Sequence, residues 1–236
     1  MDAHVMTRTA LLLLTLLLSP LLHAQQGSPS GSSVPEWARR AVWYRIVPDR
    51  FYNGDATNDP KAGDVAGLEV RGTPTRYRVS SWTADWNDYQ TWELGDTNRL
   101  VFFNQTTARR RLGGDLQGVI AKLDYIAKLG VNAISLTPLF ESGSLLKYDA
   151  STFHHIDNNF GPDPDGDTTT CARENPADPA TWRWTSADKL FLKLIKEAHK
   201  RNIRVMVDLV VDRVGLDFWA YRDVRAYGER SVFSGW

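Results

Sequence analysis

The chain has 236 residues, of which 42% are hydrophobic, and its 28 Lys plus Arg are balanced by 28 Asp plus Glu. This length suits one large domain or two small ones with an ordinary core. The zero formal net charge gives no long-range attraction for nucleic acid or an anionic membrane, so we expect a neutral partner. Cys171 is the only cysteine, which excludes an intrachain disulfide.

The N-terminal segment has the pattern of an export signal. Two leucine runs, at 11–14 and 16–18, are followed by Pro20 and by the small residue Ala24. The apolar run is shorter than the ~20 residues that span a membrane, so we predict a cleaved signal peptide over residues 1–24 and no membrane anchor. The protein is then secreted or periplasmic. Residues 25–40, rich at first in Gln, Gly, Ser and Pro, are predicted to form a disordered leader.

A strand and a long loop open the remaining chain. Residues 42–47 (VWYRIV) predict a strand that Pro48 stops. Residues 53–111 contain many turn residues and no sustained periodicity, which predicts a loop. Two interpretations of its three tryptophans are open: they stack on sugar rings, or they anchor the loop to its own domain. These tryptophans are Trp82, Trp86 and Trp92.

A helix followed by a strand comes next. Asp115 is suited to cap a helix, Gly130 is placed to end it, and apolar residues recur between them at helical spacing. These residues are Leu116, Val119, Ile120, Leu123, Ile126 and Ala127. Residues 131–140 form a short, largely apolar run, which predicts a buried parallel strand.

A second helix and strand follow another long loop, residues 142–185. Ser186 is predicted to cap the helix. Its buried face is predicted to consist of the apolar residues Leu190, Phe191, Leu194, Ile195 and Ala198. Residues 203–211 predict a third strand, buried on both faces and interrupted by Asp208. Right-handed crossovers make the three strands parallel neighbours. A doubly wound sheet and a barrel both need more strands than these three.

Residues 53–59 (NGDATND) are the first candidate site. Four oxygen-bearing side chains lie within seven residues: Asn53, Asp55, Asn58 and Asp59. Calcium takes six to eight hard oxygen ligands and tolerates irregular loops, so this spacing suits a Ca²⁺ site. The alternative is an Asn-Gly turn followed by Asp-Pro, which is ordinary in loops.

A second candidate site lies at the carboxyl ends of the strands. Lys147, Tyr148 and Asp149 follow the second strand, while Asp208 and the pair 212–213 (DR) belong to the third. Parallel strands bring these residues to one edge, where a flat aromatic side chain and carboxylates could hold a sugar ring. A buried aspartate on a strand is as often a structural hydrogen-bond centre as a catalytic group.

Other chemistries have no matching pattern. The adjacent pair His154 and His155, and the helical His199, lack the spacing of metal ligands. The Gly113-Gly114 turn follows no strand and lacks the pattern of a nucleotide-binding loop.

Together these segments resemble the N-terminal part of the α-amylase superfamily, glycoside hydrolase family 13, and most of all its neopullulanase and cyclomaltodextrinase branch. The matching segments are residues 44–60 (YRIVPDRFYNGDATNDP), 113–118 (GGDLQG), 123–137, 147–149 (KYD), 156–161 (IDNNFG) and 205–215 (VMVDLVVDRVG). The resemblance implies an α/β fold, a partial (β/α)8 barrel with its first three strands and two helices in residues 41–215. Residues 216–236 would begin an inserted domain after the third strand.

The resemblance also implies roles for single residues. The calcium ligands would be the four side chains of the 53–59 loop, completed by the Gly113 carbonyl and by Asp115. Tyr148 matches the tyrosine that stacks on the sugar ring at the cleavage site, and Asp208 matches the aspartate of the family's first signature segment. The implied substrate is an α-glucan, maltooligosaccharide or cyclodextrin, hydrolysed with retention.

The sequence departs from the family where the pattern D-x-V-x-N-H reads DLVVDR, so Asp212 and Arg213 replace the asparagine and the histidine. Leu146 stands where relatives of this branch usually have histidine. The family's nucleophile, acid/base and third carboxylate follow strands four, five and seven, so no catalytic residue is expected within this chain. We therefore predict an inactive fragment of marginal stability, because its buried strands would leave barrel edges open. The alternative is a non-catalytic, calcium-stabilised glucan-binding remnant or a decayed reading frame.

Overall fold

The computed structural model describes residues 34–65, 78–81, 83–85, 88 and 110–236. The predicted signal peptide and the three loop tryptophans lie outside these residues. Residues 1–40 and 41–236 form two separate units; the described end of the first contains helix α1, Glu36–Arg39. Among the described helices, none is long and apolar enough to cross a membrane.

Three parallel strands form the sheet of the second unit in the order β1-β2-β3, as predicted. The strands are β1, Trp43–Ile46; β2, Ala133–Leu136; and β3, Arg204–Val207. Ile46 lies level with Leu136, and Leu136 lies level with Val207. The carboxyl ends of all three strands therefore meet at one edge, which is where side chains from distant parts of the sequence can converge.

Two long helices make the crossovers: α3, Leu116–Lys128, and α5, Ser186–His199. Asp115 caps α3 as predicted, with its Oδ1 accepting a hydrogen bond from the Gly118 N–H. The predicted cap of α5 is wrong. Thr185 occupies that position and forms a reciprocal capping box with Asp188, so Ser186 is the first helical residue.

The core lies between the central strand and these two helices. All four residues of β2 are buried. The helices contribute apolar residues that are at most 9% exposed, namely Leu116, Val119, Leu123, Ile126, Leu190, Leu194 and Ala198. The predicted apolar faces are thus confirmed for the residues that face the sheet.

The prediction that the third strand is buried on both faces is wrong. Arg204 and Met206 are exposed, and Val205 and Val207 are half-buried, because β3 is an outer strand of the described sheet. Asp208 lies just beyond β3 instead of within it, and its N–H donates to the Leu136 carbonyl at 2.9 Å.

Two helices form where apolar periodicity predicts none. Helix α2, Pro48–Phe51, starts at the proline that ends the strand run. Helix α4, Pro164–Cys171, lies inside the second predicted loop; Asp163 caps it and Pro164 takes the first helical position. Its sequence, PDGDTTTC, carries no apolar stripe, so only its start signal could have indicated it. Helix α6, Trp219–Tyr227, closes the described secondary structure apart from short 3-10 turns.

Candidate functional site

Three side chains meet at the carboxyl edge of the sheet: Arg45 comes from β1, Tyr148 from the loop that follows β2, and Asp208 from just beyond β3. Arg45 of β1 donates from Nη2 to the Tyr148 hydroxyl at 2.9 Å and to Asp208 Oδ2 at 2.8 Å. The Tyr148 hydroxyl donates to the same Asp208 oxygen at 3.0 Å. The structure therefore brings together the two predicted sugar-site residues and adds a third, Arg45. We call this group the strand-end triad.

The triad is open to solvent on one side. The side chains of Arg45 and Asp208 are 61% and 27% exposed. Partial burial, followed by the hydrogen bond and charge of Asp208, raises the pKa of Tyr148, so the phenol stays protonated at neutral pH and donates a hydrogen bond to Asp208. Sequence reasoning missed Arg45 because it sits inside a strand pattern, 163 residues from its carboxylate partner.

The neighbours of Tyr148 in sequence do not join the triad. Asp149 accepts hydrogen bonds from the hydroxyls of Ser142 and Ser144, so it stabilises its own loop. Asp212 and Arg213 pair with each other at 3.1 Å and are both about two-thirds exposed. The predicted constellation is thus reduced to Tyr148 and Asp208.

Lys147 turns into the interior instead. Its backbone is left-handed, with φ 54°, and its ammonium group contacts Asp157 at 2.5 Å and the Ser142 carbonyl at 3.0 Å. The two charged side chains are 8% and 1% exposed. Lys147 directly precedes Tyr148 in sequence, so its buried ion pair with Asp157 fixes the loop that presents the tyrosine to the triad.

A buried carboxyl group adjoins this pair. Desolvation, and next the charge of Asp157, raise the pKa of Glu141 to about 8. Glu141 is therefore mostly protonated at pH 7, and its Oε2 accepts a hydrogen bond from the Asn158 N–H at 3.1 Å. A neutral Glu141 leaves Lys147 to balance a single buried negative charge, that of Asp157.

The predicted calcium loop folds against the turn that starts α3. Asn53 donates from Nδ2 to Asp59 Oδ1 at 2.7 Å, and the N–H of Asp55 donates to Asp115 Oδ2 at 2.8 Å. Asn58 is 1% exposed and donates to the Gly161 carbonyl at 3.0 Å. The structure thus gathers the loop residues and Asp115 into one hydrogen-bonded cluster.

Within the described residues no three His, Cys, Asp or Glu side chains form a metal centre, so any cation here must rely on amide and carbonyl oxygens as well. One such oxygen is Asn58 Oδ1, which is buried and accepts no hydrogen bond in the described part of the chain. Burial, and also the charges of Asp115, Asp49 and Asp55, raise the pKa of Asp59. A buried oxygen without a donor and crowded negative charge both fit a hard cation.

Gly113 is required where the loop meets the turn. It has φ 73°, and a Cβ there would approach Asp59 Oδ1 to 2.2 Å and Asn53 Nδ2 to 2.4 Å. We expect Gly113→Ala to lower the free energy of unfolding by about 2–4 kcal/mol, through both backbone strain and the clash. Gly130→Ala is the matched control, since Gly130 has φ 78° but open space, and should cost about 1–2 kcal/mol. Urea unfolding measures both; equal losses would contradict the packing described for Gly113.

His155 forms a buried bridge that sequence reasoning did not find. Its Nδ1 contacts Asp188 Oδ2 at 2.8 Å and its Nε2 contacts Glu174 Oε2 at 2.7 Å. The hydrogen bond with Asp188 is the largest influence that raises the pKa of His155 to about 9, so the imidazole is charged at neutral pH. The bridge ties the start of α5 to the segment that follows α4.

This bridge gives a pH dependence of stability. Because the folded pKa of about 9 exceeds the ordinary 6.5, the bridge contributes fully below pH 6.5 and its contribution is lost as the pH rises through 9. We expect the free energy of unfolding of the wild-type chain to exceed that of His155→Gln by about 2–3 kcal/mol at pH 6 and by much less at pH 10. Thermal unfolding of both proteins across this range tests it; a difference that does not vary with pH would contradict a charged His155.

Three aligned parallel strands, two crossover helices and a polar site at the strand carboxyl ends are an arrangement that part of a (β/α)8 barrel contains. Comparison with known proteins identifies the family. Residues 45–171, more than half of the chain, match the alpha-amylase family described as "Alpha amylase, catalytic domain". The chain belongs to this family, glycoside hydrolase family 13.

Similar proteins include Neopullulanase 2 of Thermoactinomyces vulgaris, 33% identical over 204 residues that cover 86% of this chain and 25% of that protein. A cyclomaltodextrinase of Thermoanaerobacter pseudethanolicus is 32% identical, with the same coverage. The solved structure of a cyclic α-maltosyl-(1→6)-maltose hydrolase from Arthrobacter globiformis, in complex with that sugar, matches with TM-score 0.57 and 27% identity, over 86% of this chain and 32% of the other. The chain spans about a quarter of the length of the curated relatives it matches.

Proposed function

We propose that this chain provides a sugar-binding wall of an α-glucan-active glycoside hydrolase. The observation that carries the proposal is the strand-end triad, in which a tyrosine, a carboxylate and a guanidinium converge at the edge where barrel enzymes hold their substrates. The names of the similar proteins, a neopullulanase and a cyclomaltodextrinase, support an α-glucan as the substrate class.

In this proposal each member of the triad has a separate task. The half-buried ring of Tyr148 offers a flat apolar surface to a glucose ring. Asp208 accepts from the tyrosine hydroxyl and so fixes the angle of that ring, with its second oxygen left to accept from a sugar hydroxyl. Arg45 holds both partners from β1 and offsets the negative charge of Asp208.

Asp208 is proposed to position the substrate and not to cleave it. Retaining hydrolysis needs two carboxyl groups about 5 Å apart, one to attack and one to donate a proton. In the triad Asp208 is paired with a guanidinium and a phenol, and neither can take the second role. We therefore propose that the 236 residues bind α-glucan without hydrolysing it. The alternative of a non-catalytic, glucan-binding remnant predicts the same behaviour.

The test uses the purified chain with maltoheptaose, and with cellohexaose as a sugar of the opposite linkage. Saturation-transfer NMR should detect binding of the α-linked sugar only, and an assay for reducing ends should show no turnover. Turnover of maltoheptaose by the wild-type chain would contradict the proposal that it binds α-glucan without hydrolysing it. Equal signals from both sugars would contradict recognition of α-glucan.

We further propose that the 53–59 loop binds Ca²⁺. The ligands would be the side chains of Asn53, Asp55, Asn58 and Asp59 with the Gly113 carbonyl, since the buried Asn58 Oδ1 and the raised pKa of Asp59 both favour a cation there. Asp115 already accepts hydrogen bonds at both oxygens, so its main task is to hold the loop on the start of α3. When bound, the ion supplies positive charge that stabilises this cluster.

A further inference from the structure

An open groove of about 600 Å³ lies on the segment that joins α4 to α5. Arg173, Glu174, Thr181, Arg183 and Trp184 line it, and none of them belongs to the strand-end triad or to the calcium loop. The volume falls within the range of sites that hold small molecules or several sugar rings. The groove is therefore a separate candidate for ligand binding.

The indole of Trp184 is the apolar element of this groove. Trp184 is 65% exposed, whereas Trp182, two residues earlier, stacks on His154 with ring centroids 3.9 Å apart and donates from Nε1 to the Asn175 carbonyl. Trp182 thus already accounts for the attachment of this segment to its own domain. The large exposed ring of Trp184 has no such task, and an exposed indole beside polar groups is typical of a recognition surface.

Unused hydrogen-bond donors accompany the indole. Arg183 donates from Nη1 to the carbonyls of Ala180 and Trp182, which holds the guanidinium in place. Its Nε and Nη2 make no hydrogen bond within the described part of the chain, so three N–H donors are left. The side chain of Arg173 likewise has no ion pair or hydrogen bond to any described residue.

The groove is held rigid from beneath. Glu174 accepts from the backbone N–H of Arg183 with one oxygen and contacts His155 with the other. His155 in turn contacts Asp188 in the first turn of α5. These polar contacts connect the groove to the core, and those of His155 are buried or partly buried. A ligand would therefore meet a preformed surface, and little ordering entropy would be lost.

We propose that this groove is a second α-glucan-binding site, where one sugar ring stacks on Trp184 while Arg173 and Arg183 donate hydrogen bonds to hydroxyl groups. The choice of an α-glucan rests on the proposed function of the strand-end triad.

The indole N–H resonances of the tryptophans allow a site-specific test. The resonance of Trp184 is identified by its loss in Trp184→Ala, and the wild-type chain is then titrated with maltoheptaose. We expect this resonance to shift with saturation, and we expect Arg173→Ala, which breaks no internal contact, to weaken that binding about fivefold. Tyr148→Ala should leave the affinity read at Trp184 within about twofold, because the triad is a separate site.

The outcomes separate this proposal from that for the triad. If maltoheptaose shifts resonances that respond to Tyr148→Ala while the Trp184 signal stays fixed, the groove is not a glucan site but the proposed function stands. If no resonance shifts at either site, both proposals fail. A Trp184 signal that shifts equally with cellohexaose would overturn the assignment to α-glucan.

Discussion

Lys147→Met is expected to lower the free energy of unfolding by about 3–5 kcal/mol, because it leaves Asp157 as an uncompensated buried charge. Asp157 is 1% exposed, so water cannot replace the ammonium group that contacts it at 2.5 Å. The loss is comparable to the whole stability of a marginal domain. We therefore expect the variant to be largely unfolded at 25 °C when far-UV circular dichroism is followed through a urea titration.

Two further variants make this result specific. Lys200→Met removes a lysine that is 57% exposed and pairs with Glu197, and it should cost at most about 1 kcal/mol. Adding Asp157→Asn to Lys147→Met removes the buried charge and should recover part of the loss. A cost for Lys147→Met as small as that for Lys200→Met would show that Lys147 is not paired in the interior.

Calcium is expected to raise the free energy of unfolding by about 3 kcal/mol when present at about 100 times its dissociation constant. The increment arises because the folded loop gathers its oxygen ligands whereas the unfolded chain does not. Asp59→Ala should remove most of the increment, since Asp59 faces both Asn53 and the Gly113 turn. For each protein, the free energy of unfolding without calcium is subtracted from that with calcium, so any loss of stability in the metal-free variant cancels.

Asp124→Ala is the matched control for calcium, because the Asp124 side chain is 72% exposed and pairs with Arg201 outside the loop. This variant should keep the full increment in thermal unfolding. An increment that is equal in Asp59→Ala and in the wild-type chain would place the ion elsewhere. The absence of an increment in the wild-type chain would show that the 53–59 loop does not bind calcium.

The features that sequence predicts here are local or periodic. The apolar spacing of α3 and α5 follows from patterns within about fifteen residues, and the order of the three strands follows from the right-handed crossovers that join them. The structure confirms both. The 53–59 loop, for which calcium binding is a proposal, is also a local pattern, but its connection with Asp115 spans about 60 residues and only the resemblance to a family predicts it.

The features that sequence does not predict depend on distant partners. Arg45 looks like an ordinary polar residue of a strand until β3 places Asp208 beside it. Lys147 looks like part of the sugar site because it precedes Tyr148, yet its left-handed backbone sends the side chain inward to Asp157. The exposure of β3 follows from its position in the sheet and not from its composition, which is as apolar as that of a buried strand.

The glucan affinity of Tyr148→Ala tests the central claim most directly. Isothermal titration with maltoheptaose is compared for Trp184→Ala, which lacks the groove site, and for the same variant carrying either Tyr148→Ala or Tyr125→Ala; the latter removes a 52% exposed tyrosine from α3. We expect Tyr148→Ala to weaken binding about tenfold or more, through the lost stacking surface and the broken triad, and Tyr125→Ala to leave it unchanged. Affinities that are the same for all three proteins would contradict a sugar site at the strand ends.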